Sequence, residues 1–277
     1  MEGYSDNSDG ITTQYAQGYG SHCEGWNTYC ANSTTAAAHT EGRGTAAGSA
    51  YQHIEGKYNI IDTESIYQHI VGNGTENIHR HNSHTLDWQG NAVFAGTVSN
   101  SGADYAEYFE WLDENDNVDD RVGYIVTLEG NKIKFANSED DVLGIVSGTA
   151  TVLGDNAEWE WQGKYLKDEF GRKIIDWVEH KSTTTIYNDD GTSKEKEISL
   201  GFFPEPRINP AYNENEEYVN RYWRPEWDAV GLMGKLFVRD NGSCQVGGYV
   251  KPDNGIAIPS AEKTNMRVLK RVNDNVI

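Results

Sequence analysis

Three short motifs, His22-Cys23-Glu24-Gly25, His39-Thr40-Glu41-Gly42 and His53-Ile54-Glu55-Gly56, share a His-x-Glu-Gly pattern and recur 17 and then 14 residues apart. A unit this short buries no face by itself and becomes stable only by stacking on its neighbours. Glycine at the fourth position supplies the positive φ that a tight corner needs. Small residues fill the gaps, as in Ser33-Thr34-Thr35-Ala36-Ala37-Ala38. The pattern predicts stacked coils of strand and turn. Looser copies lie at Tyr15-Ala16-Gln17-Gly18 and Tyr67-Gln68-His69-Ile70-Val71-Gly72, and Glu2-Gly3 reads as the tail of an earlier one. Thr85 to Val98 then reads as strand, turn and strand, broken at Gln89-Gly90-Asn91. A lone hairpin is marginal in water, so a partner strand from another chain is expected.

Charge divides the chain. Of 277 residues, 43 are Asp or Glu and 23 Lys or Arg, for a net charge of −20. Residues 1–103 hold 10 acids and 3 bases, and the other 33 acids and 20 bases follow. The shift predicts a boundary near residue 103. So negative a chain is a poor partner for nucleic acid, whose phosphates are met by Lys and Arg. No apolar run approaches the ~20 residues of a membrane span, and no secretory leader is read at the start. The 3 cysteines, Cys23, Cys30 and Cys244, show neither disulfide-framework nor zinc spacing. The histidines, concentrated between His22 and His84, read as repeat-position residues making side-chain hydrogen bonds. No metal and no cofactor is expected.

The boundary carries the chemistry. Ser99-Asn100-Ser101-Gly102-Ala103 is small and flexible, and it runs straight into Asp104-Tyr105-Ala106-Glu107-Tyr108-Phe109-Glu110-Trp111. Aromatic neighbours can desolvate a carboxyl group, which raises its pKa and lets it donate a proton at neutral pH. Asp104 and Glu107 stand at i and i+3. On a helix they would share a face; on a strand they would point to opposite sides. A proton-sharing acid pair can hydrolyse an amide, one group activating water and the other protonating the departing nitrogen. Attack by Asp104 on the Ala103 carbonyl, through a six-membered ring, is an equally open route.

Two resemblances extend this reading. The repeats over roughly residues 15–58 resemble the heads of trimeric autotransporter adhesins and similar phage appendage repeats, in which three chains wind side by side. The run from Gly102 to Trp111 looks like the junction of the phage pre-neck appendage family. Asp119-Asp120-Arg121-Val122-Gly123, Leu143 to Gly148 and Arg224 to Leu232 continue that likeness, which covers most of residues 90–277. In that family the C-terminal part is an autoproteolytic intramolecular chaperone, classed with glutamic-type peptidases (family G-two), which trimerises a fibre and then cuts itself off.

The resemblance implies a scissile bond at Ala103–Asp104, with Asp104 and Glu107 as the catalytic pair. Ala103 stands where related fibres commonly carry Ser, which removes a hydroxyl mechanism there unless Ser101 substitutes. Glu110 and Arg121 are expected in support, with Lys132 beside Arg121 as a second orienting cation and a surface ion pair as the default for both. The implied partners are the chain itself, as a homotrimer, and a host receptor or glycan. The implied location is the virion, as a tail fibre or neck appendage assembled in the host cytoplasm. The alternative is a non-cleaving structural or glycan-binding tip.

The expected fold is mainly β: a repetitive trimeric β-roll and β-stalk, then a mainly β chaperone-peptidase domain. The segments are 1–60 (head-like repeats), 61–103 (stalk and junction) and 104–277 (autoproteolytic chaperone). Beyond the junction, hairpins are predicted around Glu129-Gly130-Asn131, Asn188 to Gly191 and Asp240-Asn241-Gly242, and a buried strand over Val142–Gly148. Weak helical periodicity marks Tyr165–Glu179. Trp159, Trp161, Trp177, Trp223 and Trp227 are read as core or rim packing, with a carbohydrate platform as the sharper alternative.

Overall fold

The computed structural model describes residues 2–4, 15–30, 34–187 and 191–277. They form two compact units: residues 1–98 with 165–210, and residues 99–164 with 211–277. The first division falls close to the sequence boundary. The return of residues 165–210 to the first unit has no counterpart in the charge pattern.

The first unit opens with β1 (Glu2–Tyr4), β2 (Tyr15–Ala16), β3 (His22–Trp26), β4 (Tyr29–Cys30), β5 (His39–Thr40), β6 (Ala46–Ala47), β7 (His53–Lys57) and β8 (Tyr67–Asn73). These make a β-solenoid. One parallel ladder runs β1-β3-β5-β7-β8 and the other β2-β4-β6. Glu2 pairs with Glu24, and His22, His39, His53 and His69 lie in register, so those copies are true repeats. Tyr15–Gly18 is not one of them: its strand belongs to the other ladder.

The variable residue of each motif points inward. Cys23, Thr40, Ile54 and Ile70 form a fully buried column. Burying an aliphatic side chain this way contributes about 2 kcal/mol. The glycines are obligatory for a second reason besides φ. A Cβ on Gly25, Gly42 or Gly56 would fall on the carbonyl oxygen of the corresponding glycine one coil on.

After β8 the chain turns antiparallel through β9 (Asn82–Asp87) and β10 (Ala92–Phe94), the expected hairpin. Within the chain, β9 takes β8 as its other neighbour.

The second unit follows with β11 (Asp104–Glu110), β12 (Ile125–Glu129), β13 (Lys132–Phe135), β14 (Gly144–Val146) and β15 (Ala150–Gly154). The β12–β13 hairpin and buried β14 match the sequence expectation. The long hairpin β16 (Ile175–Tyr187) and β17 (Ser193–Pro206) then rejoins the first unit, placing Leu200 and Phe203 against Ala36 and Ala50. The turn residues Asn188–Asp190 lie outside the described residues. No helix forms over 165–179: Tyr165 and Lys167 make β-bridges and β16 begins at Ile175.

Back in the second unit come β18 (Trp227–Gly234), β19 (Tyr249–Asp253) and β20 (Ile256–Ser260). Strands β13-β12-β14-β18-β11-β15 make one sheet over a core of Trp111, Val126, Ile133, Val146 and Val230. The hairpin expected around Asp240–Gly242 does not form. Arg239 and Asp240 instead bridge to Val276 and Ala257, and the Asp240 carboxylate receives Arg271 at 2.7 Å. A buried ion pair outcompetes the local turn signal.

Candidate active site

β11 is the second strand from one edge of the six-stranded sheet, paired antiparallel with β18 and parallel with β15. Its aromatic, alternating sequence suits a half-buried strand. Asp104, Ala106 and Tyr108 are buried, whereas Tyr105, Glu107 and Phe109 lie on the more open face. The i, i+3 question is thereby settled for one chain. Asp104 and Glu107 project from opposite sides of the strand.

The surroundings of Ala103–Asp104 are specific. Ala103 is exposed and Asp104 is only 3% exposed, so the chain passes from solvent into the sheet within one peptide bond. The Lys235 backbone N–H donates to the Ala103 carbonyl oxygen at 3.2 Å. This approach depends on Gly234, whose φ is +130° and whose absent side chain leaves room for that same oxygen. Gly102 is tight against Thr149 and Thr151 in the same way. Both Asp104 carboxylate oxygens are buried without a hydrogen-bond partner, an expensive state for a structural acid. Glu107 accepts a hydrogen bond from the Tyr105 hydroxyl, which pushes the Tyr105 pKa up.

The other expected residues lie apart from the bond. Ser101 is exposed and Glu110 pairs with Lys132 at 2.8 Å. Arg121 is buried, grips Asp113 through two hydrogen bonds of 2.7 and 2.8 Å, and lies 4.3 Å over the Trp111 ring. These contacts commit Arg121 and Lys132 to β11's far end, away from the peptide they were expected to orient. Of the five tryptophans read as core or rim packing, Trp159, Trp177 and Trp223 are exposed and Trp161 and Trp227 are half-buried.

Sequence reasoning missed Gly234, Lys235 and Asp228. Asp228 accepts a hydrogen bond from Trp111 Nε1 at 2.8 Å, and its pKa is raised, chiefly by burial. More than 100 residues separate these positions from the junction. Only the turn-like Met233-Gly234-Lys235 could have hinted at a close approach.

A carbonyl held by a backbone donor beside an unsolvated acid, on a β-sheet unit that follows a solenoid, fits an autoproteolytic domain. The family model described as Peptidase_G2, IMC autoproteolytic cleavage domain, matches residues 52–274, and the chain belongs to that family. It is 38% identical over 162 residues to the pre-neck appendage protein of Bacillus phage B103, covering 58% of this chain and 16% of that protein. It is 34% identical over 176 residues to the putative phage-related protein YobO of Bacillus subtilis, covering 63% of this chain and 20% of that one. The crystal structure of the pre-mature bacteriophage phi29 gene product 12 superposes with a TM-score of 0.70 at 26% identity, over 93% of this chain and 30% of that one. The chain thus spans about a sixth to a fifth of the length of these curated relatives.

Proposed function

We propose that this chain is part of a phage appendage or fibre protein whose C-terminal segment, residues 104–277, promotes homotrimer folding. It then releases itself by hydrolysing Ala103–Asp104. The observation that carries the reading is the junction itself: the carbonyl of exposed Ala103 fixed by the Lys235 N–H, followed at once by a buried carboxylate with both oxygens unpartnered.

In the hydrolytic step one carboxylate takes a proton from water as its oxygen adds to the Ala103 carbonyl carbon. Negative charge collects on the oxygen facing the Lys235 N–H, as in an oxyanion hole. Collapse breaks the C–N bond, and the second carboxyl delivers its proton to the Asp104 nitrogen. Because Asp104 and Glu107 of one chain face opposite ways, the pair is completed by Glu107 of a second copy. Cleavage then reports correct assembly. A single turnover within an hour needs a barrier of only about 22 kcal/mol, and fixing the bond beside the acids supplies much of the catalysis. The released shaft belongs to the virion, assembled in the host cytoplasm, and offers a surface for a receptor or glycan.

Denaturing electrophoresis of the expressed full chain tests this. Two fragments are expected, the second beginning at Asp104, and Glu107→Gln should give one full-length band. Co-expressing Glu107→Gln with Asp104→Asn should restore cutting of the Glu107→Gln chain. An assembled parent protein that stays intact overturns the enzymatic reading in favour of a non-cleaving tip. Co-expressed variants that stay intact place both acids in one chain.

A further inference from the structure

On the outward side of the solenoid the parallel pairing that aligns His22 with His39 also carries Glu24 and Glu41 to neighbouring coils, between that pair and the Trp26–Arg43 bridge. Ligand atoms of Glu24, His39 and Glu41 all lie within 4.8 Å of one another, and the three side chains are half-buried. Two like charges held this close on a fixed backbone repel unless a cation sits between them. Among the described residues neither carboxylate forms an ion pair.

The imidazole between them is an independent sign. His39 Nε2 is buried and has no hydrogen-bond partner. Its ring cannot readily turn away, because it stacks on His22 and His53 at centroid distances of 4.9 Å on both sides. Two coils on, Val71 replaces the second acid in the pairing with Glu55, and His69 Nε2, likewise without a hydrogen bond, lies 3.3 Å from Glu55.

We propose that Glu24, His39 and Glu41 form a site for a divalent transition-metal ion, Zn²⁺ in the first instance. Two carboxylate oxygens and one imidazole nitrogen supply three ligands at the usual bond lengths of about 2.0–2.2 Å, and water completes the tetrahedron. The ion cross-links β3 to β5 and neutralises the acid pair. The 17-residue separation of the motifs hides the site in the sequence, because only the coil pitch makes Glu24 and Glu41 neighbours.

The test is equilibrium dialysis of the full chain, stripped of metal, against Zn²⁺ alone. One ion per chain is expected, with affinity at least tenfold weaker in Glu24→Gln/Glu41→Gln and in His39→Gln. A control, His81→Ala, should match the parent. Far-UV circular dichroism and melting of the metal-free variants confirm that the solenoid remains. For a site that stabilises the native coil stack, Zn²⁺ should also raise the melting temperature of the parent but not of the variants. No stoichiometric uptake by the parent, or a loss smaller than tenfold in the folded variants, overturns the proposal.

Discussion

The two units solve the same problem, pairing every strand, by opposite means. In the first, each coil of the solenoid is paired mainly with the coil before and after it, and one motif is reused down the ladder. In the second, residues 104–110 lie between strands 150–154 and 227–234, so the sheet exists only when distant segments meet. A repeat array tolerates local error, because its stability is roughly a sum over neighbours. A sheet of long-range pairs is slower to form and fails as a whole. A cut at the first residue of such a strand, as proposed above, would make the chemistry depend on the harder folding problem.

The contrast can be broken at single residues. Gly42→Ala puts a methyl group onto the Gly56 carbonyl at a φ of +101°, and a loss of about 4 kcal/mol is expected by thermal or denaturant melting. In a repeat array that loss should stay in the solenoid, as read by hydrogen exchange. Gly234→Ala should leave the solenoid's protection intact yet slow the appearance of fragments on gels at least 100-fold. It displaces the donor that faces the Ala103 carbonyl, and such a donor is worth about 3 kcal/mol in the transition state.

Smaller effects probe the sheet alone. Trp111→Phe keeps most of the buried volume but strands the Asp228 carboxylate without its donor. A loss of about 2 kcal/mol is expected in chemical denaturation. Asp228→Asn tests the sign of burial. The folded pKa of Asp228 lies above its ordinary value, so this group supports folding when protonated and loses that support as pH rises through the folded pKa. The variant should therefore gain stability relative to the parent at pH 7, and this gain should shrink towards pH 4.

Legibility followed the same divide. The His-x-Glu-Gly motif displayed the solenoid because one physical constraint, a glycine passing a neighbouring coil, repeats at every turn. Asp104 and Glu107 were visible as a dense acidic-aromatic run, but their opposite orientations were not, since spacing alone fits helix or strand. The sequence was silent about Gly234 and Lys235, because a backbone N–H leaves no side-chain signature. Arg121 was misplaced for a related reason. Its partner Asp113 is only eight residues away, yet a surface pair and a buried fork over Trp111 read alike in a sequence.

The pairing of β11 begins at Asp104, so every cross-strand bond of that strand lies on one side of the proposed scission. Severing the peptide would forfeit the Lys235 contact to Ala103 and leave the remaining ladder untouched. The new amino terminus would stay pinned at the margin of an intact sheet, while the hairpin of residues 175–206 would still pack on Ala36 and Ala50 of the solenoid. Scission would then alter connectivity before it alters shape.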